Sequence, residues 1–256
     1  MKLLKDVDRV FIFGCSFTKF RWPTWADICR YSTDKPVYNW GQMGIGNVAI
    51  MHRIVEADIK HKFTERDMII TQWSTWTRED RYTDAWSGGG CVFFNPKYGD
   101  KFCEKWWSWN NDIMKNSTAI ISSNKMYDID YQFTFYGFPR NPDFDKEVGD
   151  VNIEMQDLYL AHLPTMDTFP IEANTNFEGT CHDGHGDVKS HLTFFKSSLT
   201  KLGFSISEDL EKQLLDLHYD VAKSLNLKQD YGKQMDIIRA VVEKFDPTIQ
   251  KPQIGF

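Results

Sequence analysis

The sequence has no hydrophobic run of membrane-spanning length among its 256 residues, since about 20 consecutive apolar residues are needed to cross a bilayer. The charged segment Met1–Arg9 is followed by only four apolar residues, Val10–Phe13, which are too few for the core of a secretory signal. We therefore expect no membrane partner, no signal peptide and a location in the cytoplasm.

The chain also lacks a basic surface and a disulfide framework. Its 30 Lys and Arg residues are scattered and are outnumbered by 36 Asp and Glu residues, which argues against a nucleic-acid partner because such proteins present a basic face. Five cysteines, an odd count, are typical of reduced thiols. A chain of this size buries about three-quarters of its unfolded surface. We therefore predict a fold that depends on neither a metal nor another cofactor.

What the sequence does contain is an uninterrupted apolar run, Val10–Phe13, followed directly by Gly14, Cys15 and Ser16. A short β-branched and aromatic run that ends at glycine favours a strand, and the lack of alternation favours a central parallel strand covered on both faces. Ligand crevices form at the carboxyl edge of such sheets. Ser16 would be nucleophilic there if a histidine lay beside it. The alternative is an ordinary strand-to-helix turn with a capping serine.

Strands that alternate with helical segments predict an α/β protein with a mostly parallel sheet. The predicted strands are Arg9–Gly14, Val37–Trp40, Asp67–Trp73 and Tyr131–Phe138. A helix is predicted to start within Trp22–Ile28, with Pro23 in its first turn. The other predicted helices are Asn47–Lys62, Glu104–Asp128, Asn152–His162, Val188–Leu202 with Gly203 as its stop, Ser207–Leu225 and Gln234–Phe245. We expect loops at Asp80–Tyr98 and Arg140–Asp150 and largely irregular backbone over Thr165–Gly186.

Three further segments bring polar groups to the same edge of the predicted sheet. The glycine-rich stretch Asn39–Asn47 precedes a helix, where backbone N–H groups can approach an oxyanion, although it could serve turn geometry alone. Thr71–Ser74 ends the third strand with possible hydrogen-bond donors. Cys181–Asp187 carries histidines and carboxylates immediately before a helix, which supplies a base and a partner that could orient it.

In this order, the four segments resemble the SGNH (GDSL-type) hydrolase family. FGCSFT stands where the family has its GDS motif, and NWGQMGIGN matches its N-x-G-x-x-G block. QWSTWTR stands at the third block, and DGHGDVKSH is similar to the closing block written DGHPS-x-x-GH. The resemblance spans roughly residues 8–203. It implies a three-layer α/β/α sandwich, flavodoxin-like, over residues 1–204, with a helical extension over 205–256.

The resemblance also implies a serine esterase without a metal. The residues that it assigns to catalysis are Ser16, Asp183 and His185, and those that it assigns to the oxyanion hole are Ser16, Gly44 and Ser74. We expect substrate contacts from Asn47, Gln72, Trp73 and Trp76, with Gln72 as a second possible oxyanion donor. The implied reaction is ester hydrolysis, often the deacetylation of a carbohydrate, so the expected partner is an ester or an acylated glycan.

The sequence departs from the family pattern at four positions. Cys15 replaces the usual aspartate and is either a buried inert thiol or itself reactive. Ser74 stands where the family has an asparagine, and the loss of one oxyanion donor can cost about 10²–10³ in rate. Gly186 replaces a proline. Asp187 competes with Asp183 for the role of orienting the histidine.

Other interpretations of the same residues stay open. His182, His185 and His191 with two nearby aspartates could bind a metal, although their spacing matches no helical pair such as H-E-x-x-H. The aromatic segment Trp86–Tyr136 could bind glycans, or its rings could be buried. The pattern also resembles SGNH-type proteins of tailed phages, which would put it in the host cytoplasm or the virion. The fold would then serve assembly without turnover, as an oligomer or with a partner protein bound through residues 205–256.

Overall fold

The computed structural model describes residues 1–82, 86–91, 99–134, 166–168, 185–225 and 231–249. Its strands are β1 (Arg9–Phe13), β2 (Val37–Asn39), β3 (Asp67–Trp73), β4 (Arg78–Tyr82), β5 (Trp86–Cys91), β6 (Tyr131–Thr134) and β7 (Met166–Thr168). Its helices are α1 (Trp25–Tyr31), α2 (Asn47–His61), α3 (Asp100–Trp106), α4 (Trp109–Met126), α5 (Val188–Phe194), α6 (Glu208–Leu225) and α7 (Tyr231–Phe245). The first three predicted strands and the predicted helix Asn47–Lys62 are confirmed to within one residue, and α1 begins inside the segment Trp22–Ile28, where the sequence predicts a helix start.

Five strands form a parallel sheet in the order β2-β1-β3-β6-β7. β1 is an interior strand, because Phe11 pairs with Tyr38 of β2 on one side and with Ile69 of β3 on the other. If only these five strands are numbered along the chain, their spatial order in the sheet is 2-1-3-4-5, which is that of flavodoxin-like sheets. The carboxyl ends of β1, β2 and β3 therefore meet at one edge.

Helices cover both faces of this sheet. On one face α2 packs against α4, and the ring of Phe11 lies 5.2 Å from that of His61 at the end of α2. On the other face α1 packs against α5, and both Trp25 and Phe194 contact Phe133 of β6, with ring centroids 5.1 and 4.6 Å apart. The predicted three-layer α/β/α architecture with a mostly parallel sheet is confirmed.

The hairpin β4–β5 replaces part of the loop that the sequence predicts at Asp80–Tyr98. Its two strands pair antiparallel, with an irregularity of register between Arg78 and Asp80. The loop prediction is wrong here because neither strand has alternating apolar residues: β4 reads REDRY and β5 contains three consecutive glycines. Hydrophobic periodicity is the main signal for a strand, and this hairpin has none. Residues 92–98 lie outside the described part of the chain.

The helix predicted at Glu104–Asp128 begins four residues earlier and is divided into α3 and α4. The division lies at Trp107 and Ser108. The Ser108 hydroxyl accepts a hydrogen bond from the N–H group of Asn111 at 3.1 Å, which is the geometry of a serine that begins a new helix.

Several other predictions fall partly or wholly on residues that are not described. The strand predicted at Tyr131–Phe138 is observed over Tyr131–Thr134, and residues 135–138 lie outside the described ranges. β7 falls inside the stretch predicted as irregular, where three residues pair with β6. The predicted loop Arg140–Asp150 and the predicted helix Asn152–His162 are also outside the described residues.

The helix predicted at Val188–Leu202 is confirmed as one helical segment. It begins as α5, continues through a π-helical turn at Phe195–Leu199 and ends in a 3₁₀ turn at Thr200–Leu202. Gly203 follows with φ of 93°, so the predicted stop at this glycine is correct.

The two C-terminal helices dock on the rest of the protein. α6 contacts α5 and α7 contacts α6, and Leu214, Leu217, Ile238 and Val242 belong to the buried cluster that also contains the sheet residues. Asp246, just after α7, accepts hydrogen bonds from Arg30 and Tyr31 of α1. Among the described residues, no helix has both the length and the apolar character needed to cross a lipid bilayer.

An ion pair between the partly exposed Arg9 and the buried Asp67 joins β1 to β3 at the amino edge of the sheet. The Nε and Nη2 atoms of Arg9 each donate to a carboxylate oxygen of Asp67 at 2.7 Å, and the N–H group of Thr64 donates to the same carboxylate at 2.8 Å. Burial raises the pKa of Asp67, but the hydrogen bonds from Arg9 and Thr64 outweigh it and hold the pKa below its usual value.

We predict that Asp67→Asn lowers the free energy of unfolding by about 1–3 kcal/mol at pH 7, because a charge-assisted pair is lost. Since the pKa of Asp67 is lowered on folding, its contribution is complete above the unfolded pKa of about 3.9 and is lost as the pH falls through the folded pKa. The difference in free energy of unfolding between the variant and the native protein should therefore shrink below pH 4. Urea titrations at pH 7 and below pH 4, followed by tryptophan fluorescence, measure this free energy for both proteins.

Asp8→Asn is the matched control, since Asp8 also pairs with an arginine, Arg66, but both side chains are more than half exposed. Exposed pairs contribute little, so this variant should unfold almost like the native protein. Equal losses in the two variants, or a difference for Asp67→Asn that persists in acid, would contradict the prediction.

Candidate active site

Ser16 lies in the tight turn after β1, at the carboxyl edge of the sheet, where the sequence predicts it. The N–H groups of Thr18 and Lys19 donate to the carbonyl of Cys15 at 2.9 and 3.1 Å and close this turn. Gly14 is needed here, because a Cβ atom at that position would lie 2.0 Å from Thr18 Oγ1. Ser16 itself is 3% exposed. Cys15 is fully buried, which fits the inert thiol rather than a reactive one.

The loop after β2 is fastened to the Ser16 turn. Asn39 donates through Nδ2 to the carbonyl of Thr18 at 2.8 Å, and its Oδ1 atom accepts from the N–H group of Gly41 at 2.9 Å. The N–H group of Gln42 donates to the carbonyl of Gly14 at 3.0 Å. The first two predicted segments therefore form one connected unit.

Asn47, the first residue of α2, connects this loop to the end of β3. Its Oδ1 atom accepts from the N–H group of Ser74 at 2.6 Å, and its Nδ2 atom donates to the Ser74 carbonyl at 3.1 Å. The amide is occupied by these bonds, so a substrate contact by Asn47 would have to displace them. Gly44, the predicted oxyanion donor, lies three residues before Asn47 with φ of 80°, a conformation that suits glycine.

Three polar groups near the carboxyl end of β3 are buried without a hydrogen-bond partner among the described residues. They are the hydroxyls of Thr71 and Ser74 and the amide nitrogen of Gln72. The amide oxygen of Gln72 accepts from the hydroxyl of Thr18 in the Ser16 turn, so this side chain reaches toward β1. A buried donor without a partner costs about 1–3 kcal/mol. Gln72 and Ser74 are residues that the sequence predicts as oxyanion donors, and Thr71 is not.

His185 packs against the segment that carries Ser16. Its ring stacks on Phe20 with 4.0 Å between ring centroids and on Phe17 with 5.2 Å. The indole N–H group of Trp22 donates to the carbonyl of Gly186 at 3.0 Å and fixes the backbone next to this histidine. The structure thus brings the first and the last predicted motifs together, although they are far apart in the sequence.

Of the two candidate carboxylates, only Asp187 lies within the described residues. Asp183 lies outside the described residues, so its contact with His185 stays a prediction. Asp187 begins α5 and accepts a hydrogen bond from the N–H group of Ser190 at 2.7 Å, and its second oxygen lies 3.9 Å from Nδ1 of His218 in α6. Asp187 is therefore engaged in starting the helix and in contact with the C-terminal helices.

His191, a member of the alternative metal set, is a core residue. Burial, with a smaller contribution from His185, lowers the pKa of His191 to about 3, so it is neutral at physiological pH. No three His, Cys, Asp or Glu side chains in the described ranges are arranged to hold a metal ion. His182 and Asp183 lie outside those ranges.

The two predicted tryptophan contacts differ in accessibility. Trp73 is fully buried, and its indole N–H group donates to Gln132 Oε1 at 2.7 Å. A substrate contact by this ring would require the core to open. Trp76 is only partly buried and packs at the margin of the core, and its carbonyl accepts from Asn116 at 3.0 Å. Trp76 is thus the more accessible of the two.

Arg78 contacts Ser16, although the sequence does not predict it as a site residue. Its Nη2 atom lies 3.5 Å from Ser16 Oγ, and its Nη1 atom donates to the carbonyl of Ile45 at 3.0 Å. No pattern in the sequence marks this arginine, because the contact depends on the hairpin that begins with it.

Asp80 fastens the same hairpin to the start of α2. Its two carboxylate oxygens accept from the N–H groups of Gly46 at 2.6 Å and Ala49 at 3.1 Å, which have no partner within the helix. Burial raises the pKa of Asp80, and the bonds from Gly46 and Ala49 act in the opposite direction. The N-terminus of α2 is thus capped by a residue from a distant strand.

A surface cavity of about 470 Å³ lies beside the hairpin. Its lining residues combine aromatic rings with polar groups and are Glu79, Phe102, Trp106, Trp107, Asn111 and Asp112. Trp106 is 67% exposed, while the indole N–H group of Trp107 donates to Asp112 at 2.8 Å. Glu79 follows Arg78 directly in the chain, so β4 contributes one residue to the lining of this cavity and another that contacts Ser16.

Several solved structures are similar to this chain at low identity. A member of the lipolytic protein G-D-S-L family from Veillonella parvula gives a TM-score of 0.42 at 14% identity over 75% of this chain and 96% of that chain. A catalytic mutant of Axe2, an acetylxylan esterase from Geobacillus stearothermophilus, gives 0.42 at 13% identity over 80% and 97%. The psychrotrophic esterase EstA from Pseudoalteromonas sp. gives 0.41 at 10% identity over 82% and 99%. No protein-family model matches the sequence, and neither does any curated protein.

We predict that Asp80→Ala loosens the start of α2 and destabilises the protein by about 0.5–2 kcal/mol, the usual cost of removing a helix cap. The N–H groups of Gly46 and Ala49 should lose protection against hydrogen exchange, measured by NMR. The N–H group of Ala57, in the later part of α2, is the internal control. Unchanged exchange at Gly46 and Ala49 would contradict this prediction.

Proposed function

We propose that this chain is a serine esterase of the SGNH type, which removes acyl groups, in particular acetyl groups, from a carbohydrate or a small ester. One observation carries the proposal: Ser16 follows an interior strand at the carboxyl edge of the sheet, and His185 stacks on Phe17 and Phe20 of the same turn. A nucleophile with a base close to it is the minimum that acyl transfer requires, and the ring contacts of His185 support this pairing.

In the proposed reaction, the hydroxyl of Ser16 attacks the acyl carbonyl while His185 takes its proton. The histidine then returns this proton to the leaving alcohol, and a water molecule hydrolyses the acyl-enzyme by the same route. Asp183 accepts a hydrogen bond from the histidine, holds one tautomer and stabilises the imidazolium. The N–H groups of Ser16 and Gly44 donate to the oxyanion.

The third oxyanion donor comes from the end of β3. The hydroxyl of Ser74 and the amide of Gln72 are the candidates, and the support is that both have a buried donor without a partner among the described residues. A donor that is held ready costs stability in the resting protein and needs no rearrangement when charge develops on the substrate.

The aromatic cavity beside the hairpin favours an acylated carbohydrate as the substrate. Tryptophan rings stack on the apolar faces of sugars, and carboxylates with an amide can bind their hydroxyl groups. Trp106 offers an exposed ring and Asn111 an exposed amide. The same cavity would serve a glycan-binding module without turnover, which is the alternative function.

We predict that the purified protein hydrolyses p-nitrophenyl acetate and that Ser16→Ala and His185→Ala each lower kcat by at least about 10³-fold, because the members of a triad act as a unit. A fluorophosphonate probe should label the native protein at Ser16, and Ser16→Ala should abolish the labelling. The expected folded state of each variant is checked by circular dichroism.

Ser205→Ala and His52→Ala are the matched controls, since both residues are exposed and belong to none of the predicted motifs. Both should retain native activity. If the native protein neither hydrolyses the ester nor reacts with the probe, the esterase proposal is wrong and the glycan-binding alternative is favoured. Binding of acetylated and deacetylated oligosaccharides, measured by calorimetry, then tests that alternative.

A second prediction distinguishes the two carboxylates. Asp183→Asn should lower kcat by about 10³–10⁴-fold, because the histidine loses the partner that holds its tautomer. Asp187→Asn should mainly lower stability, because its carboxylate accepts from Ser190 at the start of α5. Kinetics and thermal unfolding of both variants separate the roles, and the opposite assignment follows if Asp187→Asn shows the larger kinetic loss at unchanged stability.

A further inference from the structure

The guanidinium of Arg78 is held beside the nucleophile by its surroundings. Its Nη1 atom donates to the carbonyl of Ile45 at 3.0 Å, and its Nη2 atom lies 3.5 Å from Ser16 Oγ. Gly46 makes this approach possible, because a Cβ atom there would lie 2.9 Å from Arg78 Cβ and 3.1 Å from its carbonyl oxygen. Two residues further on, Asp80 bonds to the start of α2 and fixes the strand.

We infer that Arg78 is a further catalytic residue of this site, which donates a charged hydrogen bond to the oxyanion formed when Ser16 attacks an ester. The inference rests on the proposed esterase function and adds a residue that the motifs do not contain. A guanidinium stays protonated throughout the physiological pH range. Its charge acts strongly here because Ser16 is almost completely buried, and charge interactions are stronger away from water.

The proposed step balances without any further reactant. The Oγ–H bond of Ser16 breaks, its proton passes to His185, and a new bond forms between Oγ and the acyl carbon. The π electrons of the carbonyl move onto its oxygen, which becomes the oxyanion that Arg78 stabilises. When the carbonyl forms again, the bond to the alcohol oxygen breaks and that oxygen takes the proton from His185. Arg78 gains and loses no proton.

The position of Arg78 favours the transition state over the bound ester. The substrate carbonyl is neutral before attack and carries a full negative charge after it, so a cationic donor gains most of its interaction during the reaction. The resting distance of 3.5 Å to Ser16 Oγ is long for a hydrogen bond. This distance suits a donor whose acceptor is the carbonyl oxygen beside Oγ rather than Oγ itself.

The first test is steady-state hydrolysis of p-nitrophenyl acetate by Arg78→Gln and Arg78→Lys. For Arg78→Gln, kcat should fall by about 10²–10³-fold while KM changes by less than about threefold, because the lost interaction belongs to the transition state. Arg78→Lys should recover part of the loss, since it keeps the charge. Arg239→Gln, an exposed arginine on α7, should retain native kinetics. A kcat for Arg78→Gln within about threefold of the native value, or a loss confined to KM, overturns the inference.

The second test needs no turnover. In Ser16→Cys, with Cys15→Ala to remove the neighbouring thiol, the introduced thiolate lies beside Arg78, and a nearby arginine lowers a thiol pKa. The pH dependence of alkylation by iodoacetamide, read by peptide mass spectrometry, gives this pKa. Adding Arg78→Gln should raise it by about one unit or more.

The two tests separate the inference from the esterase proposal. An active native protein with an unshifted thiol pKa and unchanged kcat in Arg78→Gln overturns the role of Arg78 and leaves the esterase proposal intact. An inactive native protein with a shifted thiol pKa contradicts the esterase proposal, while the stabilisation of negative charge by Arg78 stands. An inactive native protein whose thiol pKa is also unshifted by Arg78→Gln overturns both the esterase proposal and the role of Arg78.

Discussion

The parallel pairing of β1 with β2 on one side and β3 on the other is the constraint on which the candidate site depends. Because the three strands run in one direction, the segments that follow them all emerge at the same edge of the sheet. The pairing continues beyond the strands: the N–H group of Trp40 donates to Ile12 at 2.7 Å and that of Gln42 to Gly14 at 3.0 Å. The Ser16 turn and the loop after β2 are therefore fixed by backbone bonds before any side chain contributes.

Two polar side chains, Asn47 and Asp80, add further hydrogen bonds at this edge of the sheet. Asn47 joins the start of α2 to the end of β3 through Ser74, and Asp80 joins the same helix to the hairpin. A helix N-terminus that follows glycines is a common anion site, but here the carboxylate of Asp80 occupies the N–H groups that an anion would use. Positive charge reaches the Ser16 turn from Arg78 instead. Asp80, which occupies the N–H groups of α2, also fixes the strand that carries Arg78.

The sequence predicts those parts of the fold and the site that depend on local pattern. β1 and β3 each contain a short apolar run and α2 has apolar residues at helical spacing, so their bounds are predicted to within a residue. The hairpin has no such pattern, since its strands are charged or glycine-rich and are stabilised by pairing with each other. Arg78 could not be predicted for the same reason, because its contact with Ser16 exists only once the hairpin is formed. The stacking of His185 on Phe20 joins segments that are far apart in the sequence, whereas the motif resemblance predicts only that His185 lies near Ser16.

The esterase proposal assigns the unpaired polar groups of Gln72 and Ser74 at the end of β3 to the oxyanion hole. A residue whose only role was to fill the space of Ser74 would gain stability as alanine, because the buried hydroxyl has no partner among the described residues. The same argument applies to the amide nitrogen of Gln72, whose oxygen alone is engaged by Thr18. Protein sequences depart from local stability rules mainly at functional sites. In the proposed reaction, the donors of Gln72 and Ser74, the guanidinium of Arg78 and the hydroxyl of Ser16 would all act on the same acyl group, and the negative charge that develops on its oxygen is what the donors would stabilise.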